Sequence, residues 1–388
     1  MVNGNRFIDP GRLPSAEQLL LIKAALQPGP EGHAARTTWL ANADIDRLGK
    51  ASGRLLPLLY ERLKNEGVDH PLLPMLKGVK RHAWYYNQML FRRAGEAIRA
   101  LEQAGIEAML IKGAAMAIEY YRDWGLRPMD DVDVLVRYND ASAAIQLLLS
   151  RGWKSSDPWF EQNGYSGLTR KYEHAMHFPH SSGQALDLHW NLLKFCIGPK
   201  QDDDFWSASR GTSFEGLPFR ILDPADQLLH ILVHGSPFEM LAPIRWIPDA
   251  VILIRATSGL DWERFTFQAR KRRLTLEIDG ALEYLQSCFC DLLPSDLLDA
   301  VHRIPVSGFE KLEYSGILRP VTGVIEATFS HLCRYWRISE GSSPWKLARS
   351  FPTFLCCQFR VLRKWQLPAV LCNKILRRIL SRPRNQMA

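Results

Sequence analysis

The sequence predicts an α+β protein in which a small mixed β-sheet core is flanked by N-terminal helices and a C-terminal helical domain. Apolar residues recur at helical spacing from about Ser15 to Gly105 and again after Asp223. Between these stretches, short apolar strands such as IEAMLI and VDVLV alternate with helical segments. We therefore predict four regions: N-terminal helices over 1–105, the core over 106–222, a helical domain over 223–340 and a tail over 341–388.

The predicted helices lie on both sides of the core. SAEQLLLIKAAL, IDRLGKASGRLLPLLYERL and LKGVKRHAWYYNQMLFRRAGEAIRALEQAG carry apolar residues three and four apart, and the last of them reaches Gly105, a residue type that often follows a helix C-terminus. DPADQLLHILVHG and IRWIPDAVILIRA continue the pattern after the core. Within the core, KYEHAMHFPH and QALDLHWNL are predicted to be strands joined by the turn SSG.

Composition excludes several classes of protein. The 388 residues are 46% hydrophobic and 23% charged, as is typical of a globular protein. No apolar run approaches the length of about 18 residues that suggests a spanning helix, and MVNGNRFIDPGRLP lacks the apolar centre of a signal peptide. The seven cysteines form no array with matching histidines, so we expect reduced thiols and a cytoplasmic protein.

Aspartates crowd the start of one predicted strand. In LRPMDDVDVLV, Asp130, Asp131 and Asp133 precede or enter an apolar run. Alternate residues of a strand point to the same side, so Asp131 and Asp133 are expected to share a face and to repel each other unless a cation lies between them. Carboxylate oxygens suit Mg²⁺. The alternative is a solvated strand entrance with Asp130 in a turn.

Further residues of the core favour a site. Asp187 stands between two leucines in ALDLHW, where an acid needs a partner, so it is a candidate third carboxylate. His189 is expected on the same face, where it is a candidate nucleotide-binding residue that orients the acceptor or the carboxylates. The alternative is packing against Trp190 or a hydrogen bond in the sheet. Upstream, the strand IEAMLI ends at Lys112 and Gly113, and a glycine there lets backbone N–H groups approach a phosphate.

A zinc site at HAMHFPH is not expected. His174, His177 and His180 are three residues apart, and at that spacing consecutive side chains of a strand face opposite sides of the sheet. Convergence of all three on one metal ion would therefore require the strand to be interrupted.

The order of these motifs resembles the polymerase-β-like nucleotidyltransferase superfamily. IEAMLIKGAAMAIEYY, RPMDDVDVLV, ALDLHWNL, DQLLHILVHG and IRWIPDAVIL look like a family of uncharacterised nucleotidyltransferases, over roughly Ser15 to Arg255. The resemblance implies that the core binds Mg²⁺ or Mn²⁺ through Asp131, Asp133 and Asp187. Asp187 would bind one metal ion or take the proton of the acceptor.

The resemblance also implies a reaction and a nucleotide site. A nucleoside monophosphate would pass from an NTP to an acceptor hydroxyl, with release of pyrophosphate and with two metal ions about 4 Å apart stabilising the charge. Lys112 and Gly113 would hold the phosphates, although the superfamily usually has Gly-Ser or Gly-Gly where this chain has Gly113-Ala114. The acceptor is expected to be a small metabolite, a sugar or lipid precursor, a protein side chain or an RNA end.

Each of two arginines has two alternative predicted roles. Arg127 either neutralises the departing pyrophosphate or forms an ion pair with Asp130 or Asp131. Arg245 either lines the nucleotide pocket or forms a pair with Asp249, four residues later on the same predicted helix.

Two other functions remain open. A non-catalytic binding protein could keep the fold, but the intact acids argue against it, since they repel one another without a metal ion. A toxin that modifies tRNA would use the same site as the transferase.

The C-terminal tail is basic. From Gly341 to Ala388 there are ten Lys or Arg residues and no Asp or Glu, so the net charge of +8 originates there. An apolar stripe is predicted through Phe351, Leu355, Phe359 and Leu362. Such a helix packs on the protein, binds an anionic membrane surface or binds RNA. If it binds a membrane surface, the protein is expected to be peripheral at the membrane.

Overall fold

The computed structural model describes residues 13–155, 167–214, 216–235, 244–318, 324–361 and 363–380. It confirms the α+β class, because a six-stranded mixed sheet lies among helices that come from both ends of the chain. Leu362 of the predicted tail stripe lies outside the described residues, as do residues 381–388. Within the described ranges, no helix combines the length and apolar character needed to cross a membrane.

Five α-helices precede the sheet in the part of the chain that the structure describes. The first starts with a capping box, in which the Ser15 hydroxyl accepts from the Gln18 backbone N–H and the Gln18 side chain accepts from the Ser15 backbone N–H. The single segment predicted over IDRLGKASGRLLPLLYERL is divided, and Pro57 lies in the first turn of its last helix, where a missing N–H costs no hydrogen bond. The helices are α1 (Ala16–Leu26), α2 (Gly29–Asn42), α3 (Lys50–Gly53), α4 (Leu56–Asn65) and α5 (Leu73–Gln103).

The sheet has the strand order β3-β4-β2-β1-β6-β5. Its strands are β1 (Ala108–Ile111), β2 (Val132–Val136), β3 (Ala175–Pro179), β4 (Ala185–His189), β5 (Arg210–Phe214) and β6 (Leu217–Ile221). The pairs β2–β4 and β1–β6 are parallel, and the other neighbours are antiparallel. The predicted hairpin forms β3 and β4, whereas β5 and β6 were not predicted.

Thirteen further helices are described. Four lie between strands: α6 (Lys112–Ala115), α7 (Ala141–Ser150), α8 (Gly167–Tyr172) and α9 (Asp203–Ala208). A π-helical turn, Met116–Tyr121, extends α6. The others follow the sheet: α10 (Pro224–Gly235), α11 (Trp246–Ala256), α12 (Trp262–Lys271), α13 (Thr275–Cys288), α14 (Leu297–His302), α15 (Gly308–Leu318), α16 (Val324–Ile338), α17 (Pro344–Gln358) and α18 (Leu367–Leu380).

The two faces of the sheet pack against different helices. Val132, Val134 and Val136 of β2 join a core with α5 and α7. The opposite face, which includes Leu135, joins a core built from the N-terminal helices and the helices after the sheet. Because side chains alternate along a strand, Asp133 lies on this second face, beneath helices from both ends of the chain.

The basic tail begins with a packed helix. Phe354 and Cys357 of α17 are buried against Tyr172 and Tyr335. The buried stripe is therefore centred on Phe354, while the predicted stripe residues Phe351, Leu355 and Phe359 are half-buried beside it. This part of the tail packs on the protein, and an anionic membrane or RNA partner for the tail stays a prediction.

Asp202 is a buried carboxyl group in the connection after β4. Its Oδ2 accepts hydrogen bonds from the Leu192 backbone N–H at 2.8 Å and from Asn191 Nδ2 at 3.3 Å, while its Oδ1 is buried without a partner. Burial raises the pKa of Asp202 to about 7. Between about pH 4 and pH 7 the folded protein therefore binds a proton that the unfolded chain has lost, and stability falls as the pH rises through this range.

We predict that Asp202→Asn removes this pH dependence. The amide is neutral at every pH, so the difference in unfolding free energy between wild type and variant should change by on the order of 3 kcal/mol between about pH 4 and pH 8, in favour of the variant at high pH. Thermal unfolding over this range is the measurement. Asp203→Asn, which replaces the exposed neighbour, is the control and should follow wild type; a parallel shift of both variants would contradict the assignment.

Candidate active site

Parallel pairing of β2 with β4 brings the predicted carboxylates together. Asp133 lies opposite Asp187 in the register, so both side chains leave the same face of the sheet. Asp131 precedes β2 on the same side. Ligand atoms of Asp131, His177 and Asp187 lie within 4.8 Å of one another, as do those of Asp133, Asp187 and His189.

Lys112 supplies a positive charge to this cluster. It follows β1, whose last residue Ile111 pairs with Asp133, and its Nζ lies 2.7 Å from Asp133 Oδ1 and 3.4 Å from His189 Nε2. Its φ of 49° is in the left-handed region, which costs a non-glycine residue about 1 kcal/mol or more. The backbone turn at the end of β1 thus directs the ammonium group to the carboxylates.

The carboxylates differ in their electrostatic surroundings. Burial would raise the pKa of Asp133, but the Lys112 charge and the His189 hydrogen bond outweigh burial and hold that pKa well below its usual range. For Asp131, burial and the charges of Asp133 and Asp187 raise the pKa to about 6. Lys112 therefore does not balance the whole cluster, and three carboxylates with an imidazole at hand are a donor set that fits a divalent cation.

Asp130 lies outside this cluster. It forms ion pairs with Arg54 and, at 3.1 Å, with Lys50 of α3, and it is more than half exposed. Only two of the three neighbouring aspartates therefore belong to the site.

The three histidines of HAMHFPH, which lie in β3 or directly beside it, have separate partners. His174 packs its ring against His189 with centroids 5.3 Å apart, and His180 Nδ1 lies 2.6 Å from Ser182 Oγ. His177, however, lies opposite Asp187 in the hairpin register, with Nδ1 2.5 Å from Asp187 Oδ1. This contact was not predicted.

Helix α10 adds two imidazoles to the cavity lining, of which His230 is buried and His234 is exposed. Desolvation in the cavity, together with the nearby Lys112 charge, lowers the pKa of His234. Burial and the neighbouring His234 lower the pKa of His230 well below its usual value. Both side chains are therefore neutral at pH 7 and add no charge to the site.

Arg127 is held by the C-terminal helices. Its Nε and Nη2 donate to Asp249 Oδ1 and Oδ2 of α11 at 2.9 and 2.7 Å, and Tyr121 also donates to Asp249. The predicted ion pair with Asp130 or Asp131 is wrong. A Cβ at Gly113 would lie 2.3 Å from Arg127 Nη1, so this glycine provides the space for the guanidinium group.

Arg245 has a different environment. The predicted pair with Asp249 is wrong, because Asp249 is occupied by Arg127, and Arg245 Nη1 donates to the Pro128 carbonyl at 3.2 Å. Burial and the charge of Arg127 lower the pKa of Arg245 to about 10. Arg245 therefore remains positively charged at pH 7 in a place that favours an added anion.

Two cavities meet at the cluster. A cavity of about 260 Å³ is lined by the carboxylates and by Lys112, Gly113, Arg127 and Arg245. A second cavity of about 310 Å³ lies on the side of His174 and His177. Lys112, Asp187, His230 and His234 line both cavities. Reactants that enter from the two sides would meet at Asp187.

Comparison with known proteins identifies similar sequences and structures. Residues 44–290 match a protein family described as uncharacterised nucleotidyltransferase. No curated protein matches the chain significantly. One solved structure, an antigenic nucleotidyltransferase-like protein from Paracoccidioides brasiliensis, is 14% identical, with 54% of this chain and 91% of that chain covered. The TM-score of this match is 0.32.

We predict that Asp249→Asn destabilises the protein. The substitution leaves Arg127 buried without a counter-charge, and loss of one member of a buried pair typically costs about 3–5 kcal/mol. Urea unfolding measures the loss. Asp44→Asn, which breaks the exposed pair with Arg47, is the control and should cost less than about 1 kcal/mol. Equal, small losses in both variants would show that the buried pair does not hold α11 to the core.

Proposed function

Because the chain belongs to the family of uncharacterised nucleotidyltransferases, we propose that it transfers a nucleoside monophosphate from an NTP to an acceptor hydroxyl and releases pyrophosphate. The observation that carries the proposal is the convergence of Asp131, Asp133 and Asp187 beside Lys112 and Arg245 in one cavity. This chemistry requires carboxylates that bind a metal ion and positively charged side chains that bind the phosphates.

The carboxylates would hold the metal ion. Asp131, Asp133 and Asp187 offer oxygen ligands that suit Mg²⁺ or Mn²⁺, and the raised pKa of Asp131 reflects burial together with neighbouring negative charge that a cation would relieve. When bound, the ion would supply positive charge to the phosphate oxygens. The hydrogen bond between His189 Nε2 and Asp133 Oδ1, 3.0 Å long, fixes the orientation of that carboxylate.

The cations would hold the triphosphate. Arg245 is charged and has no carboxylate partner among the described residues, so a phosphate group is a fitting counter-ion. Lys112 can contact both the carboxylates and a phosphate from its position between the two cavities. The guanidinium of Arg127 is bound through Nε and Nη2, which leaves Nη1 beside Gly113 as its group for a phosphate contact.

Asp187 would take the proton of the acceptor. The acceptor oxygen forms a bond to the α-phosphorus, the bond from the α-phosphorus to the bridging oxygen breaks, and pyrophosphate leaves with that electron pair. The hydroxyl proton passes to a carboxylate oxygen of Asp187, which lines both cavities. His177, 2.5 Å from Asp187 Oδ1, orients this carboxylate from the neighbouring strand.

We predict that Asp133→Asn abolishes nucleotide transfer. The amide cannot supply the charge of the central carboxylate, so both transfer and Mg²⁺-dependent NTP binding should fall, transfer by roughly a thousandfold or more. Transfer is measured with each α-labelled NTP, Mg²⁺ or Mn²⁺ and a cell extract as the source of acceptor, and chelation of the metal ion should have the same effect.

Asp130→Asn is the matched control for this experiment. It removes a neighbouring aspartate that pairs with Arg54 and Lys50 outside the cluster, so transfer should remain near the wild-type rate. Circular dichroism verifies that both variants fold. Full activity in Asp133→Asn would refute the assignment of the metal site.

A further prediction separates Asp187 from Asp133. If Asp187 takes the proton, Asp187→Asn should lower the turnover by roughly a hundredfold or more, while the affinity for NTP changes little. Single-turnover rates and equilibrium NTP binding, measured in both variants, give the comparison. An equal loss of NTP binding in Asp133→Asn and Asp187→Asn would show that Asp187 serves only as a metal ligand and not also as the base.

A further inference from the structure

Helix α5 has an unusual distribution of charge. From His70 to Gly95 the chain contains five Lys or Arg residues and no Asp or Glu. The helix packs one face on the sheet through residues such as Leu90 and Phe91, and the opposite face is exposed. About five turns of α5, which is exposed on one face, therefore carry positive formal charge and no negative formal charge.

The exposed face combines cations with aromatic rings. Lys77, Arg81, Trp84, Tyr85 and Arg92 fall on one side of α5 at 100° per residue, and all five are exposed. We call these residues the α5 stripe. Trp84 is 49% exposed and Tyr85 is 62% exposed, although rings of this size are usually largely buried. The two rings lie between Arg81 and Arg92 along the helix.

A cavity adjoins the stripe. Its volume is about 570 Å³, and its lining includes Lys64, Lys77, Arg81, Trp84 and Arg122. Arg122, in the left-handed conformation at φ 56°, comes from the segment that leads to the active site.

The acids near this cavity are already paired. Glu61 and Asp123 both bind Lys80, at 2.5 and 2.8 Å. Within the described ranges, Lys77, Arg81 and Arg122 have no carboxylate within ion-pair distance. The charge of these three side chains is therefore available to an anionic ligand.

We propose that the α5 stripe and its cavity bind single-stranded nucleic acid. The cations contact phosphates, and Trp84 and Tyr85 stack on unpaired bases, which is the combination used by proteins that bind single strands. The distance along the helix from Lys77 to Arg92 is about 22 Å at 1.5 Å per residue, enough for several nucleotides and more than one mononucleotide fills. Two neighbouring exposed rings likewise fit consecutive bases.

The arrangement favours a nucleic acid over a membrane surface. A helix that binds a bilayer separates its apolar face from its cations. On α5 the rings lie among the cations on the same side, so insertion of Trp84 would bring Arg81 into the apolar layer. A single strand likewise presents phosphates and bases along one path, as α5 presents cations and rings on one side.

The stripe is connected to the active site through α5 itself. Asn87, one turn beyond Trp84, donates from Nδ2 to the carbonyl oxygens of Trp124 and Arg127 at 2.5 and 2.9 Å. Helix α5 thus supports the segment that carries Arg127 to the cavity. Strand binding is nevertheless independent of the proposed transfer, because it requires neither NTP nor metal ion.

The experiment measures binding of a fluorescent single-stranded RNA to the full chain by anisotropy, without NTP and with chelator. Arg81→Glu/Trp84→Ala should weaken binding by roughly tenfold or more and reduce its dependence on salt, since a phosphate contact and a stacked base are lost. Phe267→Ala/Arg270→Glu removes an exposed ring and an exposed arginine from α12 and is the matched control, which should bind like wild type.

Three outcomes would overturn the proposal. The first is that wild type does not bind the strand, or that the α5 variant binds it as well as wild type does. The second is that Arg363→Glu/Trp365→Ala, in the basic tail, abolishes binding while the α5 variant retains it. The third is that wild type prefers anionic vesicles or a mononucleotide to the strand. Asp133→Asn should bind the strand normally, so failure of the proposed transfer can be distinguished from failure of this proposal.

Discussion

The parallel pairing of β2 with β4 is the constraint on which the site depends. It places Asp133 beside Asp187 on a buried face, where two carboxylates repel each other strongly. Lys112 relieves part of this repulsion from the end of the neighbouring strand β1. The sheet therefore holds the Lys112 ammonium group near its centre, and the side chains of the site surround this positive charge. Two neutral histidines of α10 cover it without adding charge of their own.

A second interaction connects the sheet to the helices that follow it. Arg127 and Asp249 are 122 residues apart and form a bidentate buried pair, with Tyr121 as a further donor to the same carboxylate. The pair holds α11 against the segment before β2, and so forms the cavity wall opposite the carboxylates. Gly113 is part of the same contact, because any larger residue would collide with the guanidinium group. A glycine that sequence alone associates with phosphate binding here also has a packing role.

Local sequence predicted much of the fold and the carboxylates, because alternation along strands and helical spacing are short-range properties. The partners of Arg127 and Arg245 were not predictable in this way, since they depend on how α11 packs against the core. His177 is an intermediate case. The hairpin around SSG was predicted, and counting outward from that turn places His177 opposite Asp187. Strand β5 was missed because RGTSF has little apolar character, and β6 was missed because LPFRI contains a proline despite its apolar alternation.

The three positively charged side chains of the cavity differ in role because their ion-pair and hydrogen-bond partners differ. The charge of Arg127 is satisfied by a carboxylate with good geometry, so its main contribution is to hold the cavity wall. Arg245 is largely buried with a carbonyl as its hydrogen-bond partner, an arrangement that costs free energy unless an anion binds. Lys112 lies between these two cases. Asp133 is its ion-pair partner, but Asp131 and Asp187 add negative charge that Lys112 does not balance. One side of the cavity thus carries excess negative charge, and the other side carries excess positive charge. A metal–triphosphate complex would neutralise both.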